Sequence, residues 1–211
     1  AERVGVGNGA PMDHPRYAGA SPDEQRRVFG EILWSDPLVR DALLRAREFD
    51  LPNWWIVSGA LYNTVWNHLT GRPSGYGIKD VDLFYFDDGD LSWEAEDAVI
   101  RQGAEVFGDL DKPVEIRNQA RVHLWFEDHF GIGRDPLPSC EESIRQFASR
   151  THAVGVTLGA GGALQVCAPY GLDDIFSFRM TPNHALENRS THETKAGRAK
   201  ENWPELTIIP W

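Results

Sequence analysis

The sequence predicts an α/β (α+β) protein, and three observations carry that reading. Two apolar runs, Trp54–Val57 and Ile78–Phe86, have strand composition and are each followed by residues at helical spacing. A third strand pattern opens after Pro113. Two short apolar runs, 153–158 and 163–167, flank Gly159-Ala160-Gly161-Gly162 and form a hairpin with a glycine-rich turn. The 211 residues fit one domain, placed at 21–211, behind a loose arm at 1–20 rich in Gly and Pro. A formal net charge of -11 opposes binding of duplex or other long nucleic acid, which needs a dense basic surface. It leaves room for a single nucleotide, which needs only a few cations.

Ser21-Pro22-Asp23-Glu24 starts the first helix, with a capping serine, proline at the first helical position and a glutamate that completes a capping box. Val28, Phe29, Ile32 and Leu33 give it an apolar face. Ser35-Asp36-Pro37 starts a second helix, with Val39, Leu43 and Ala46 inward. Trp54–Val57 then reads as a buried strand that passes through Ser58-Gly59-Ala60 into a helix marked by Leu61, Val65 and Leu69. That helix ends at Thr70, ahead of Gly71. A helix N-terminus has free N–H groups and a partial positive charge, and Gly59 lets the backbone approach a phosphate closely. An ordinary tight turn between strand and helix has the same composition.

After a loop with three glycines, Ile78–Phe86 carries Asp80 and Asp82 at i and i+2. Strand side chains alternate, so both acids point to one face with Cα atoms roughly 6.5–7 Å apart. Two carboxylates on a buried strand repel and lose hydration, and an oxygen-seeking cation such as magnesium relieves both costs. Asp-x-Asp is short and common, and by itself it describes a solvated strand face equally well. Leu91-Ser92 opens another helix containing Trp93, Val99, Ile100 and Val106-Phe107. Val114–His123 reads as a strand with Glu115, Arg117, Gln119, Arg121 and His123 on one face, either solvent-exposed or the wall of a cleft. Ser139-Cys140-Glu141-Glu142 is a second capping box, opening a helix with Ile144, Phe147 and Ala148. Leu172–Phe178 reads as a short helix capped by Asp173-Asp174. Residues from about Asn188 to Glu201 read as a solvated helix or a mobile segment. Trp203-Pro204 and Pro210-Trp211 mark an extended tail docked by its tryptophans.

The order of a small-residue turn opening a helix (Ser58-Gly59-Ala60), an acid pair on the next strand (Asp80-Val81-Asp82) and one acid on a later strand (Val114-Glu115-Ile116) resembles the nucleotidyltransferase superfamily typified by DNA polymerase beta. The chain is more similar still to a bacterial nucleotidyltransferase-like family of unassigned substrate. That resemblance runs through Gly59–Asn67, Asp80–Asp82 with Phe86-Asp87, Asn118–Trp125, Ala168–Asp174, Pro182-Asn183 and Trp203-Pro204. It implies a mixed β-sheet with helices packed on it. It implies that Asp80, Asp82 and Glu115 are catalytic and hold Mg2+, with Mn2+ as the substitute. It also implies that the turn at Ser58, Gly59 and Ala60 cradles the triphosphate of an NTP substrate, and that Glu115 receives the proton of an attacking hydroxyl. Lys79, Arg117 and Arg121 are further candidates for phosphate contact. Ala60 departs from the Gly-Ser or Gly-Gly of the superfamily, removing a hydroxyl.

The resulting expectation is an enzyme that moves a nucleotidyl group to a hydroxyl of a small molecule or protein. The alternatives are a glycosyltransferase with an Asp-x-Asp site and a non-catalytic nucleotide-binding or interaction module. Two cysteines, Cys140 and Cys167, make no disulfide framework or zinc knuckle, so a reducing cytoplasm is the expected setting. Residues 1–20 lack the charged and apolar regions of a signal peptide, and no apolar run approaches the length of a membrane span.

Overall fold

The computed structural model describes residues 13–211, so most of the proposed arm at 1–20 lies outside the described residues. Helix α1 (Pro22–Ser35) is capped as the sequence dictates, the Ser21 side chain accepting the Glu24 N–H. Asp36 does the same for α2 (Pro37–Phe49) through the Val39 N–H. Strand β1 (Trp55–Val57) leads directly into α3 (Gly59–Thr70). Then follow β2 (Val81–Tyr85), α4 (Trp93–Phe107), β3 (Val114–Asn118), α5 (Val122–Phe130), α6 (Cys140–Arg145), the hairpin β4 (Gly155–Leu158) and β5 (Leu164–Cys167), and α7 (Asp173–Phe176). The chain closes with β6 (Arg179–Met180), α8 (Arg189–Asn202) and β7 (Thr207–Ile208).

Five strands form one sheet in the order β3-β2-β1-β4-β5. β2 and β3 are parallel, joined through α4, while the other pairs are antiparallel, so the sheet is mixed. Register decides which side chains meet. Val156, Ile56, Leu83 and Ile116 stand in one row across four strands, all buried. Helices α2, α3 and α4 pack on the sheet and cover that face. The next row is Gly155, Val57, Asp82 and Glu115, on the opposite face. The acids therefore project away from the main core because the strand pattern alternates.

Three sequence expectations change. The strand predicted over Val114–His123 stops at Asn118, whose side-chain oxygen accepts the N–H groups of Ala120 and Asp87 and turns the chain into a 3-10 turn at Gln119–Arg121. Val122 and Phe126 then bury at helical spacing on α5. Arg121 and His123 consequently leave the Glu115 side, while Gln119 still lines a cavity with Glu115. Asp173 and Asp174 do not cap α7. Asp173 accepts from the Gly19 N–H and the Gln25 amide, and both acids pair with Arg179. The helix opened by Ser139 ends at Arg145, before Phe147 and Ala148.

The polar stretch at 188–201 is ordered as α8, held by a narrow buried stripe of His192, Ala196 and Ala199. The Nε2 atom of His192 lies 3.0 Å from the Ile209 carbonyl, so that N–H donates and Nδ1 accepts from the Ser149 hydroxyl. Trp203, next after α8, is 1 % exposed and donates its indole N–H to Asn67 Oδ1 at 2.9 Å. Its ring lies against Gly77, where a Cβ would sit 2.5 Å from the indole and where φ is +70°. Only glycine fits there. The tail after Trp203 pairs β7 with β6 in parallel.

Candidate active site

The turn between β1 and α3 is backbone-strained. Ser58 has φ 60° and ψ −121°, a conformation rare for a residue with a Cβ. Its N–H bonds the Val154 carbonyl, and its carbonyl accepts the N–H groups of Leu61 and Tyr62, which locks the turn. Among the described residues, the N–H groups of Gly59 and Ala60 have no acceptor, so the start of α3 offers two donors. Gly59 and Ser58 line a cleft of about 150 Å³. The Ala60 side chain instead faces the core at 1 % exposure. The hydroxyl that Ala60 lacks would point away from the cleft, so its loss costs less than the sequence suggested.

Asp82 and Glu115 are direct partners in the parallel β2–β3 register, and Asp80 precedes Asp82 by two residues. One carboxylate oxygen from each of the three lies within 4.8 Å of the others. Burial first, then repulsion from Asp80, push the Asp82 carboxyl up to about 7; Glu115 adds to this, and Lys195 and Arg117 act against it. Three acids converging on one point form an all-oxygen donor set suited to a hard divalent cation. The residues present fit such an ion.

Opposite Gly59, the cleft is walled by α8, which brings Lys195, Arg198 and Asn202 to face Lys79, Asp80 and Asp82. Asn63 also lines this cleft, and its side-chain Oδ1 is buried with no partner. Lys195 and Arg198 escaped the sequence reading, which left this stretch as solvated or mobile. The signal was present. Ala196, Ala199 and Trp203 recur at 3 and 4 residues, leaving Lys195, Arg198 and Asn202 as a parallel polar stripe. Lys79 is exposed at the cleft wall. Arg117 is exposed on the Glu115 face, two residues along β3, its Nη1 bonded to the Ile116 carbonyl.

Arg121 does not reach the cluster. Its guanidinium pairs with Glu96 at 2.7 Å and its Nε donates to the Leu91 carbonyl, with both charged side chains close to 90 % buried. Glu96 in turn accepts the Asn118 N–H, fixing the end of β3. Arg121→Gln should therefore cost about 2–3 kcal/mol of stability by stranding a buried carboxylate. Chemical denaturation measures that loss. The folded variant should retain wild-type nucleotide affinity, whereas a phosphate-binding arginine would lose it.

The mixed sheet, the helix start beside it and the three convergent carboxylates fit a nucleotidyltransferase domain. The chain belongs to the nucleotidyltransferase family, which it matches over residues 44–208. Among solved structures it is similar to one described as an NMR structure that "reveals a CCA-adding enzyme head domain". The TM-score is 0.71 at 22 % sequence identity, over 91 % of this chain and 98 % of that one. That likeness establishes the fold. No curated protein gives a significant sequence match. Among the described residues no helix is long and apolar enough to cross a membrane.

Proposed function

We propose that the protein transfers a nucleotidyl group from a nucleoside triphosphate to a hydroxyl acceptor and releases pyrophosphate. The observation that carries this is the meeting of Asp80, Asp82 and Glu115 at the edge of a cleft that also contains the α3 start and the α8 cations. Asp80, Asp82 and Glu115 would hold Mg2+, or Mn2+ in its place. Bound there, divalent cations supply activation of the hydroxyl and neutralisation of the departing pyrophosphate. The Gly59 and Ala60 N–H groups, Lys195 and Arg198 grip the β- and γ-phosphates, and Lys79 flanks them, while Arg117 lines a separate cavity beside Glu115. The acceptor oxygen forms a bond to the α-phosphorus as the bond to the bridging oxygen breaks. Pyrophosphate leaves with that electron pair, and the hydroxyl proton passes to Glu115. Positioning and charge neutralisation account for the rate, as in other phosphoryl transfers.

A bare triphosphate fits the acidic chain because the needed cations are local. The free thiols of Cys140 and Cys167 suit a reducing cytoplasmic setting. ATP or another NTP with Mg2+ should raise the melting temperature by about 5–11 °C at a hundredfold excess over Kd, equivalent to about 2.7 kcal/mol. Asp80→Ala should abolish that shift. The same shift in both proteins would overturn the reading. Nucleoside diphosphate as the product would instead identify a glycosyltransferase, and NTP binding with no pyrophosphate over a broad acceptor panel would identify a binding module.

A further inference from the structure

Asp82 and Lys195 also border a second cavity of about 240 Å³, lined by Phe84, Glu115 and Arg117 rather than by Gly59 and Asp80. Its character is different. Phe84, Trp125, Phe126, Phe130 and Phe147 supply aromatic walls, which suit a flat ring. Its polar lining includes the acids Asp82 and Glu115 together with the cations Lys195, Arg117 and Arg134.

Arg134 is the informative one. It lies over the Phe126 ring at 4.7 Å from the centroid, and both Nε and Nη2 donate to the same neutral oxygen, Gln146 Oε1. Glu142 is the acid whose charge acts on it, but its oxygens are taken by Arg145 and by the Gln146 amide. Burial pushes the Arg134 guanidinium down to about 10. A cation held in an aromatic pocket without an acid of its own complements an anionic ligand, and the planar fork matches carboxylate or phosphate. Arg117, on the same cavity, bonds only a backbone carbonyl.

Direction of attack assigns this cavity. In an in-line displacement the nucleophile approaches opposite the leaving group. The phosphate-gripping groups stand on the Gly59 and Arg198 side. Glu115 lines the second cavity and not the first. Resting on the nucleotidyl-transfer reading above, we infer that the acceptor is a small ring-bearing hydroxyl compound with a carboxylate or phosphate group, its ring on the Trp125 and Phe147 side and its anion on Arg134 and Arg117. A nucleoside would fill the aromatic walls but offer no anion to Arg134.

Calorimetric titration of the metal-free full chain tests this without relying on turnover. The probes are 4-hydroxyphenylacetate, 4-hydroxyphenyl phosphate and neutral 4-hydroxyphenylacetamide. The wild type should bind one of the two anions at least tenfold tighter than the amide, and which one it prefers separates carboxylate from phosphate. Arg134→Gln should erase most of that preference while the ATP·Mg2+ melting shift stays at its wild-type size. Arg117→Gln, at an exposed position, should reduce the preference severalfold and keeps the test open should Arg134→Gln fail to fold. Equal binding of acid and amide would overturn the proposal, as would displacement of the anion by adenosine, which would make the cavity a nucleoside site. Selective anion binding without any ATP·Mg2+ shift would remove the nucleotidyl-transfer reading, and the acceptor role with it.

Discussion

Asp82→Asn should make the metal-free protein more stable at pH 8 while removing nucleotidyl transfer. Burial and the neighbouring Asp80 raise the folded-state carboxyl to about 7, against about 3.9 in an unfolded chain. The folded protein thus holds a proton that the unfolded chain gives up, and stability falls as pH rises from about 4 to about 7. Above pH 7 the full penalty is present, roughly 4 kcal/mol from about three pH units at about 1.4 kcal/mol each. Asparagine carries no charge to bury. Its advantage should vanish near pH 4 and be complete at pH 8, where melting should rise by about 8–16 °C. Mg2+ should stabilise the wild type at pH 8, where the site is ionised, and should do little for the variant. Activity should drop by on the order of 10³-fold, the loss of several kcal/mol of charge stabilisation. Melting curves at pH 4 and pH 8, with and without Mg2+, check all of this. A variant that melts below the wild type at pH 8 would refute the assignment of Asp82 as the strained member of the cluster. Such a residue contributes function at the expense of fold stability.

Much of the site was legible because strands and helix starts leave local signatures. Asp80 and Asp82 were readable as neighbours from the period of two. Ser21, Ser92 and Ser139 announced helix starts that the structure confirms, each accepting an N–H three residues on. Glu115 was harder. Only the parallel register of β2 and β3 sets it beside Asp82, and register across 32 intervening residues is a tertiary fact that no local pattern encodes. The run from Asn118 to His123 misled because alternation looked intact while Asn118 was turning the chain; the same asparagine side chain accepts the Ala120 and Asp87 N–H groups. Helix α8 was obscured for another reason. Its buried stripe is only His192, Ala196 and Ala199, so its burial depends on the tail that follows it rather than on its own apolar content.

That dependence makes Trp203→Ala the mutation with the widest expected consequence. The indole is fully buried, packs against Trp66 with ring centroids 5.5 Å apart, bonds Asn67 and rests on Gly77 just ahead of Asp80. Removing it should cost about 3–5 kcal/mol, which lowers melting by roughly 10 °C or more. The sharper expectation is local. α8 has few apolar contacts of its own, so the amides of residues 189–202 should lose hydrogen-exchange protection before the sheet does. Lys195 and Arg198 would then no longer be held over the cleft. NTP affinity should fall at temperatures where the protein is still folded, although all three acids remain. Trp203→Phe restores a ring but not the bond to Asn67 and should recover most of the affinity. If Trp203→Ala weakens the fold while binding NTP and Mg2+ as tightly as the wild type, α8 has no part in gripping the triphosphate. The start of α3 and Lys79 would then have to hold it alone.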